Sequence, residues 1–151
     1  MSKVINFFTG LGRDRRQAIT FSWCKAAFGP VTRKVRVERV LEEAIELAQA
    51  EGYPLGRIER LAAKVYARPP GDPAQEVGGI GIAILAYCGA AELSADECEA
   101  TEVARVLSKP IEHFRERHQH KIDEGLCSTD LVDGPAPLPT DYAGNWRDFA
   151  A

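Results

Sequence analysis

Apolar residues recur at three- and four-residue spacing through nearly all of the chain from Asp14 to Glu124, which is the period of helices and not of strands. "DRRQAITFSWCKAAF" predicts a first helix, stopped by Gly29-Pro30. From Thr32 to Glu51, Val37, Val40, Leu41, Ala44, Ile45 and Ala48 form one stripe, and Gly52 closes the helix. "PLGRIERLAAKVYA" predicts a shorter third helix, and "RPPGDP" at 68–73 breaks the pattern sharply. A fourth helix covers "AQEVGGIGIAILAYCGAA" at 74–91. "SADE" at 94–97 has the form of a capping box, with Ser94 capping and Glu97 reaching back, so a fifth helix starts there. Pro110 either kinks that helix or begins a sixth, which runs to Gly125. Beyond that point periodicity stops and prolines accumulate, so residues 126–151 read as an extended or disordered arm in which Trp146 and Phe149 are available to anchor on a neighbour. With no internal repeat and no strand pattern, the expectation is an all-α bundle of about five to six helices over residues 1–125.

Two of these helices carry acids that need an explanation. On the second, Glu42, Glu43 and Glu46 fall opposite the apolar stripe, and Glu43 and Glu46, three residues apart, are neighbours. Such a pair is either a solvated acidic face or a set of oxygen donors for a hard divalent cation. The fourth helix is apolar all round, through Val77, Ile80, Ile82, Ile84, Leu85, Tyr87 and Cys88. A helix of that kind is expected to be buried among others, which places Glu76 in or beside the core. Stranding an ionised carboxylate there costs about 4–7 kcal/mol. Either the amides of the helix N-terminus or a bound cation relieves that cost. Gly78, Gly79 and Gly81 each weaken the helix by about 1 kcal/mol against alanine while letting a neighbouring backbone approach. "GGIG" is a weak match to a phosphate-binding loop, since no strand precedes it and no P-loop lysine follows.

Composition narrows the partners. A formal charge of −3 and a pI near 5.7 argue against a nucleic-acid coat protein. Cys24, Cys88, Cys98 and Cys127 have no metal-type spacing and read as reduced thiols. The first residues lack the pattern of a secretory signal, and the apolar run at 77–91 is short of the roughly 20 residues a membrane span needs. The expectation is a cytoplasmic protein that engages neither nucleic acid nor membrane.

"LEEAIEL" at 41–47 and "QEVGGIGIAIL" at 75–85 together resemble the paired motifs of the MazG-like, all-α NTP pyrophosphohydrolases. That family's signature is ExxE on one helix and ExxD on another; Glu43 and Glu46 match the first motif and Glu76 the acid of the second, while Gly79 stands where the aspartate belongs. "RPPGDPAQEVGGIGIAILA" is itself similar to a divergent phage and bacterial branch that shares the Gly-Gly. The resemblance implies a homodimer or higher homo-oligomer that cleaves nucleoside triphosphates to monophosphate and pyrophosphate with magnesium, manganese being the alternative metal. It implies Glu43, Glu46 and Glu76 as metal ligands. Glu42 and Glu43 are the candidate catalytic residues, with Glu42 or an acid of the fifth helix taking the proton of the attacking water. Asp96, Glu99 and Glu102 are candidate replacements for the missing aspartate, Glu99 and Glu102 sharing a face. Lys109, His113 and Arg115 correspond to the family's phosphate contacts, chemistry that suits a lysine point charge and an arginine fork. Phe21 and Trp23 are candidates to stack a base, or to pack in the core. The rival reading is a non-catalytic helical module that binds nucleotide or a protein partner and has lost turnover with the aspartate.

Overall fold

The computed structural model describes residues 2–127, and over these the chain is all-α. In order the helices are α1 (Ser2–Thr9), α2 (Arg13–Phe28), α3 (Arg33–Ala50), α4 (Leu55–Tyr66), α5 (Pro73–Ala90), α6 (Ala95–Leu107) and α7 (Ile111–Asp123). That is one more than the upper count from periodicity, the addition being α1. Pro110 starts a separate helix and kinks none: α6 closes at Leu107 with Ser108 as its cap, and Pro110 sits at the N-cap of α7. Most of the expected arm, with Trp146 and Phe149, lies outside the described residues.

The chain divides into two compact units, residues 36–92 and the remainder. The remainder brings α1, α2, α6 and α7 around a core of Phe8, Ala100 and Leu107, backed by Phe7, Leu11, Ile19, Trp23, Val103 and Ala104. Ala100 is fully buried, and its small side chain lets α1 lie close on α6. α2 meets α7 through rings set edge to face. Trp23 lies 4.8 Å from Phe114 and 5.6 Å from Phe28, centroid to centroid. Gly29 ends α2 at φ 77°, in the left-handed region that a side chain disfavours, and its N–H donates to the Lys25 carbonyl at 2.9 Å.

The 36–92 unit holds most of α3 with α4 and α5. Asp72 caps α5, its carboxylate accepting from the Ala74 and Gln75 amides at 3.0 and 3.1 Å, with Pro73 in the first position, where its missing N–H is harmless. Tyr87 donates to Glu51 Oε1 at 2.8 Å, tying α5 to the end of α3. Sequence leads one to expect α5 to be buried all round, and here the expectation fails. Val77 is 70% exposed and Ile82 71%, and of the α5 side chains only Cys88 is buried. The α3 stripe is likewise open at Val37, Val40, Leu41 and Ile45. The cause is that α3, α4 and α5 share no extensive interface with one another, so no helix of the unit covers them. Among the described residues no single helix is long and apolar enough to cross a membrane.

Candidate functional site

Glu42, Glu43, Glu46 and Glu76 all belong to the 36–92 unit. On α3, Arg39 lies one turn before the acids and spreads its guanidinium across two of them, bonding Glu42 through one nitrogen and Glu43 through the other. The i, i+3 and i, i+4 spacing makes this contact readable from the sequence, although the motif draws the eye to the acids alone. Glu46, one turn further on, is exposed and has no ion-pair partner among the described residues.

Glu76 sits in the first turn of α5, whose amides favour an anion, and it is exposed. This corrects the expectation that it lies in or beside the core. The helix that carries it is itself uncovered, so the cost of a buried carboxylate does not arise. Its carboxylate folds back over Gly71, so closely that a Cβ there would strike it. The three glycines that follow approach nothing: a Cβ at Gly78, Gly79 or Gly81 would meet no atom within 4 Å.

The remaining candidates belong to the other unit. Glu99 is held by Arg13 and by Arg16, whose Nη2 donates to it at 3.0 Å and to Asp96 at 2.5 Å. Burial alone pushes the Glu99 carboxyl up, yet the hydrogen bonds and charges of the two arginines outweigh this and hold it below the usual carboxylate range. Arg16 is the functional-looking residue that sequence reasoning missed. It is buried, its Nη1 donates to the Phe8 and Leu11 carbonyls at 3.2 and 2.7 Å, and it thereby joins the end of α1 to the first turns of α6. Burial favours its neutral form, but Asp96 and Glu99 raise its pKa nonetheless. Glu102 is paired within α6 to Arg105, which grips both its oxygens.

Of the proposed phosphate and base contacts, the structure brings together Trp23, His113 and Arg115 at the packing of α2 on α7. Arg115 donates from Nε to the Ala27 carbonyl at 2.9 Å and from Nη2 to the Ala26 carbonyl at 3.0 Å, meeting the negative end of α2. Trp23 is enclosed by Phe28 and Phe114, and the His113 ring stands edge-on to Phe114 at 5.2 Å, its Nε2 buried with no hydrogen-bond partner among the described residues. Lys109 is half-buried in the link between α6 and α7. Phe21 is exposed, with the Lys25 ammonium 4.9 Å from its ring centre. Among the described residues no three His, Cys, Asp or Glu side chains converge as a closed cation site would need. Compared with protein-family models, with curated proteins and with solved structures, the chain matches none.

Proposed function

We propose that the chain is a metal-dependent nucleoside triphosphate pyrophosphohydrolase, working in the cytoplasm as a homodimer or higher homo-oligomer. The observation that carries the reading is the set of acids in one unit: Glu43 and Glu46 on successive turns of α3, and Glu76 in the first turn of α5, all exposed. An all-oxygen donor set of this kind fits magnesium or manganese. When bound, such an ion would neutralise charge on the triphosphate and lower the pKa of a bound water. Glu42, the residue before Glu43, or an acid of α6 would accept the proton of the water that attacks the α-phosphorus. The bond from the α-phosphorus to the bridging oxygen breaks, pyrophosphate leaves, and the monophosphate keeps the water's oxygen. A cation held by Glu43 would take that carboxylate from Arg39, which would stay paired to Glu42.

The test is pyrophosphate release from a panel of ribo- and deoxyribonucleoside triphosphates, with magnesium, with manganese and with chelator. Release that needs metal and falls at least 100-fold in both Glu46→Gln and Glu76→Gln supports the reading. Absence of release from the folded wild-type chain across the panel refutes it. In that case stabilisation by nucleotide would favour the non-catalytic binding module, the reading that Gly79 in the aspartate's place supports.

A further inference from the structure

Bases gather on α4 without acids to answer them. Arg57, Arg60 and Lys64 lie on the helix, Arg68 follows two residues after its end, and all four are exposed. At about 100° per residue the three on the helix fall within about 60° of one another, and Glu59 falls on the other side. None of the four has an ion-pair partner among the described residues, whereas Arg13 and Arg16 are paired to Glu99, Arg39 to Glu42 and Glu43, and Arg105 to Glu102. The Arg60 guanidinium lies back along the helix over Gly56, 3.7 Å from where a Cβ there would stand, which brings its charge level with Arg57. We infer that Arg57, Arg60, Lys64 and Arg68 are a binding site for a short phosphate chain.

Left to themselves these side chains oppose the helix that carries them. Arg57 and Arg60 stand three residues apart and Arg60 and Lys64 four, spacings at which like charges repel. An anion laid across them turns that repulsion into attraction. From Arg57 to Lys64 the helix rises about 10 Å, a span along which linked phosphate groups each meet a cation. An arginine fork takes two oxygens of one phosphate, and the lysine ammonium supplies a compact charge for the next.

The class of ligand follows from charge and from what the other bases already do. Residues 55–68 hold four bases against one acid, while the whole chain carries −3, so a long polyanion that runs past α4 meets net negative charge. A chain of a few phosphates stays within the stripe. Arg115, which the family resemblance assigns to phosphate, directs its fork at the Ala26 and Ala27 carbonyls, and the His113 ring packs on Phe114. α4, by contrast, lies in the same unit as Glu43, Glu46 and Glu76 and keeps its bases open. On the hydrolase reading, on which this identification rests, the chain held is the triphosphate of the substrate.

Isothermal titration of the full chain with sodium tripolyphosphate, in chelator so that neither metal binding nor turnover contributes, tests the site. The wild type should bind, and binding should weaken with added salt. Arg57→Gln, Arg60→Gln and Lys64→Gln should each weaken it about threefold, and Arg60→Gln with Lys64→Gln together about tenfold, as exposed charge pairs imply. Glutamine is close to arginine and lysine in helix propensity, so far-ultraviolet circular dichroism should show the helix content unchanged. ATP and a single-stranded oligonucleotide are titrated alongside. ATP binding at least as tight as that of tripolyphosphate, with a KM for pyrophosphate release raised about tenfold in the double variant, assigns the site to the substrate. Binding of tripolyphosphate alone, with KM unmoved, assigns it to an inorganic chain. Absence of tripolyphosphate binding up to about 1 mM overturns the inference, as does binding that survives the double substitution or an oligonucleotide that binds more tightly. The two readings fail separately. A double variant with unchanged binding and unchanged KM leaves the hydrolase standing, and a wild type that binds tripolyphosphate but releases no pyrophosphate leaves the stripe.

Discussion

Replacing Arg16 by methionine keeps a long apolar stem and removes the guanidinium that joins α1 to α6. Four hydrogen bonds go with it: to the carbonyls of Phe8 and Leu11 and to the carboxylates of Asp96 and Glu99. At about 1.5–3 kcal/mol for each bond to a charged group the sum is an overestimate, because the bonds share one guanidinium and its Nε has no acceptor among the described residues. Removing one partner of a buried ion pair costs about 3–5 kcal/mol. Here the arginine side chain is 7% exposed, but its partners Asp96 and Glu99 are 52% and 36% exposed and regain water once freed. That lowers the expected loss to about 2–4 kcal/mol. For a chain of this size the melting temperature should drop by about 5–15 °C, read by circular dichroism and checked by urea unfolding. Arg16→Lys keeps the charge without the fork and should lose about half as much. The pH dependence has a definite sign. The folded pKa of Glu99 lies below its ordinary value of 4.5, so its stabilisation is complete above that value and disappears as pH falls through the folded pKa. The gap between wild type and Arg16→Met should therefore be narrower at pH 3 than at pH 7. A loss under 1 kcal/mol at pH 7, or a gap that widens in acid, would refute the account.

Arg115→Ala should cost about 1–3 kcal/mol in urea unfolding through the orphaned carbonyls of Ala26 and Ala27, and Arg115→Lys should not restore it. Gly79→Asp enters open space and replaces a helix-weakening glycine, so stability should change by no more than a few tenths of a kcal/mol. On the hydrolase reading the same substitution supplies a fourth carboxylate. The metal concentration for half-maximal pyrophosphate release should then fall at least several-fold, and an unchanged value would count against that reading.

Helical period revealed six of the seven helices because each either buries a stripe or ends on a strong signal. Gly29 stops α2, Asp72-Pro73 opens α5 and Ser94, accepting from Glu97 N–H at 3.2 Å, opens α6. α1 escaped because "SKVINFFT" is two turns long, too short to be helical unaided. Its stability comes from Phe8 against Ala100 and Leu107, more than ninety residues away in the chain. At Pro110 the sequence allowed two outcomes, and the conformational limit on Lys109, the residue before the proline, accounts for the break. The burial of α5 could not be read at all. An apolar helix announces that something covers it, but periodicity is silent on whether the cover comes from the same chain.

The candidate ligands separate by what each must give up to meet a cation, and that is where the sequence was least informative. Glu46 and Glu76 give up nothing, being exposed and without ion-pair partners among the described residues. Glu43 must leave Arg39, a partly exposed pair at i, i+4 spacing worth about 0.3–0.5 kcal/mol, which a divalent cation readily exceeds. Glu99 must leave Arg16, whose buried guanidinium then loses a counter-charge, at a cost approaching that of the Arg16→Met change. All four are glutamates on helices, and spacing alone does not separate them. What divides them is an arginine eighty-three residues distant for Glu99, four residues distant for Glu43 and absent for the other two. A cation that draws on Glu43, Glu46 and Glu76 would therefore break one exposed ion pair, whereas one that recruits Glu99 must first weaken the junction of α1 with α6.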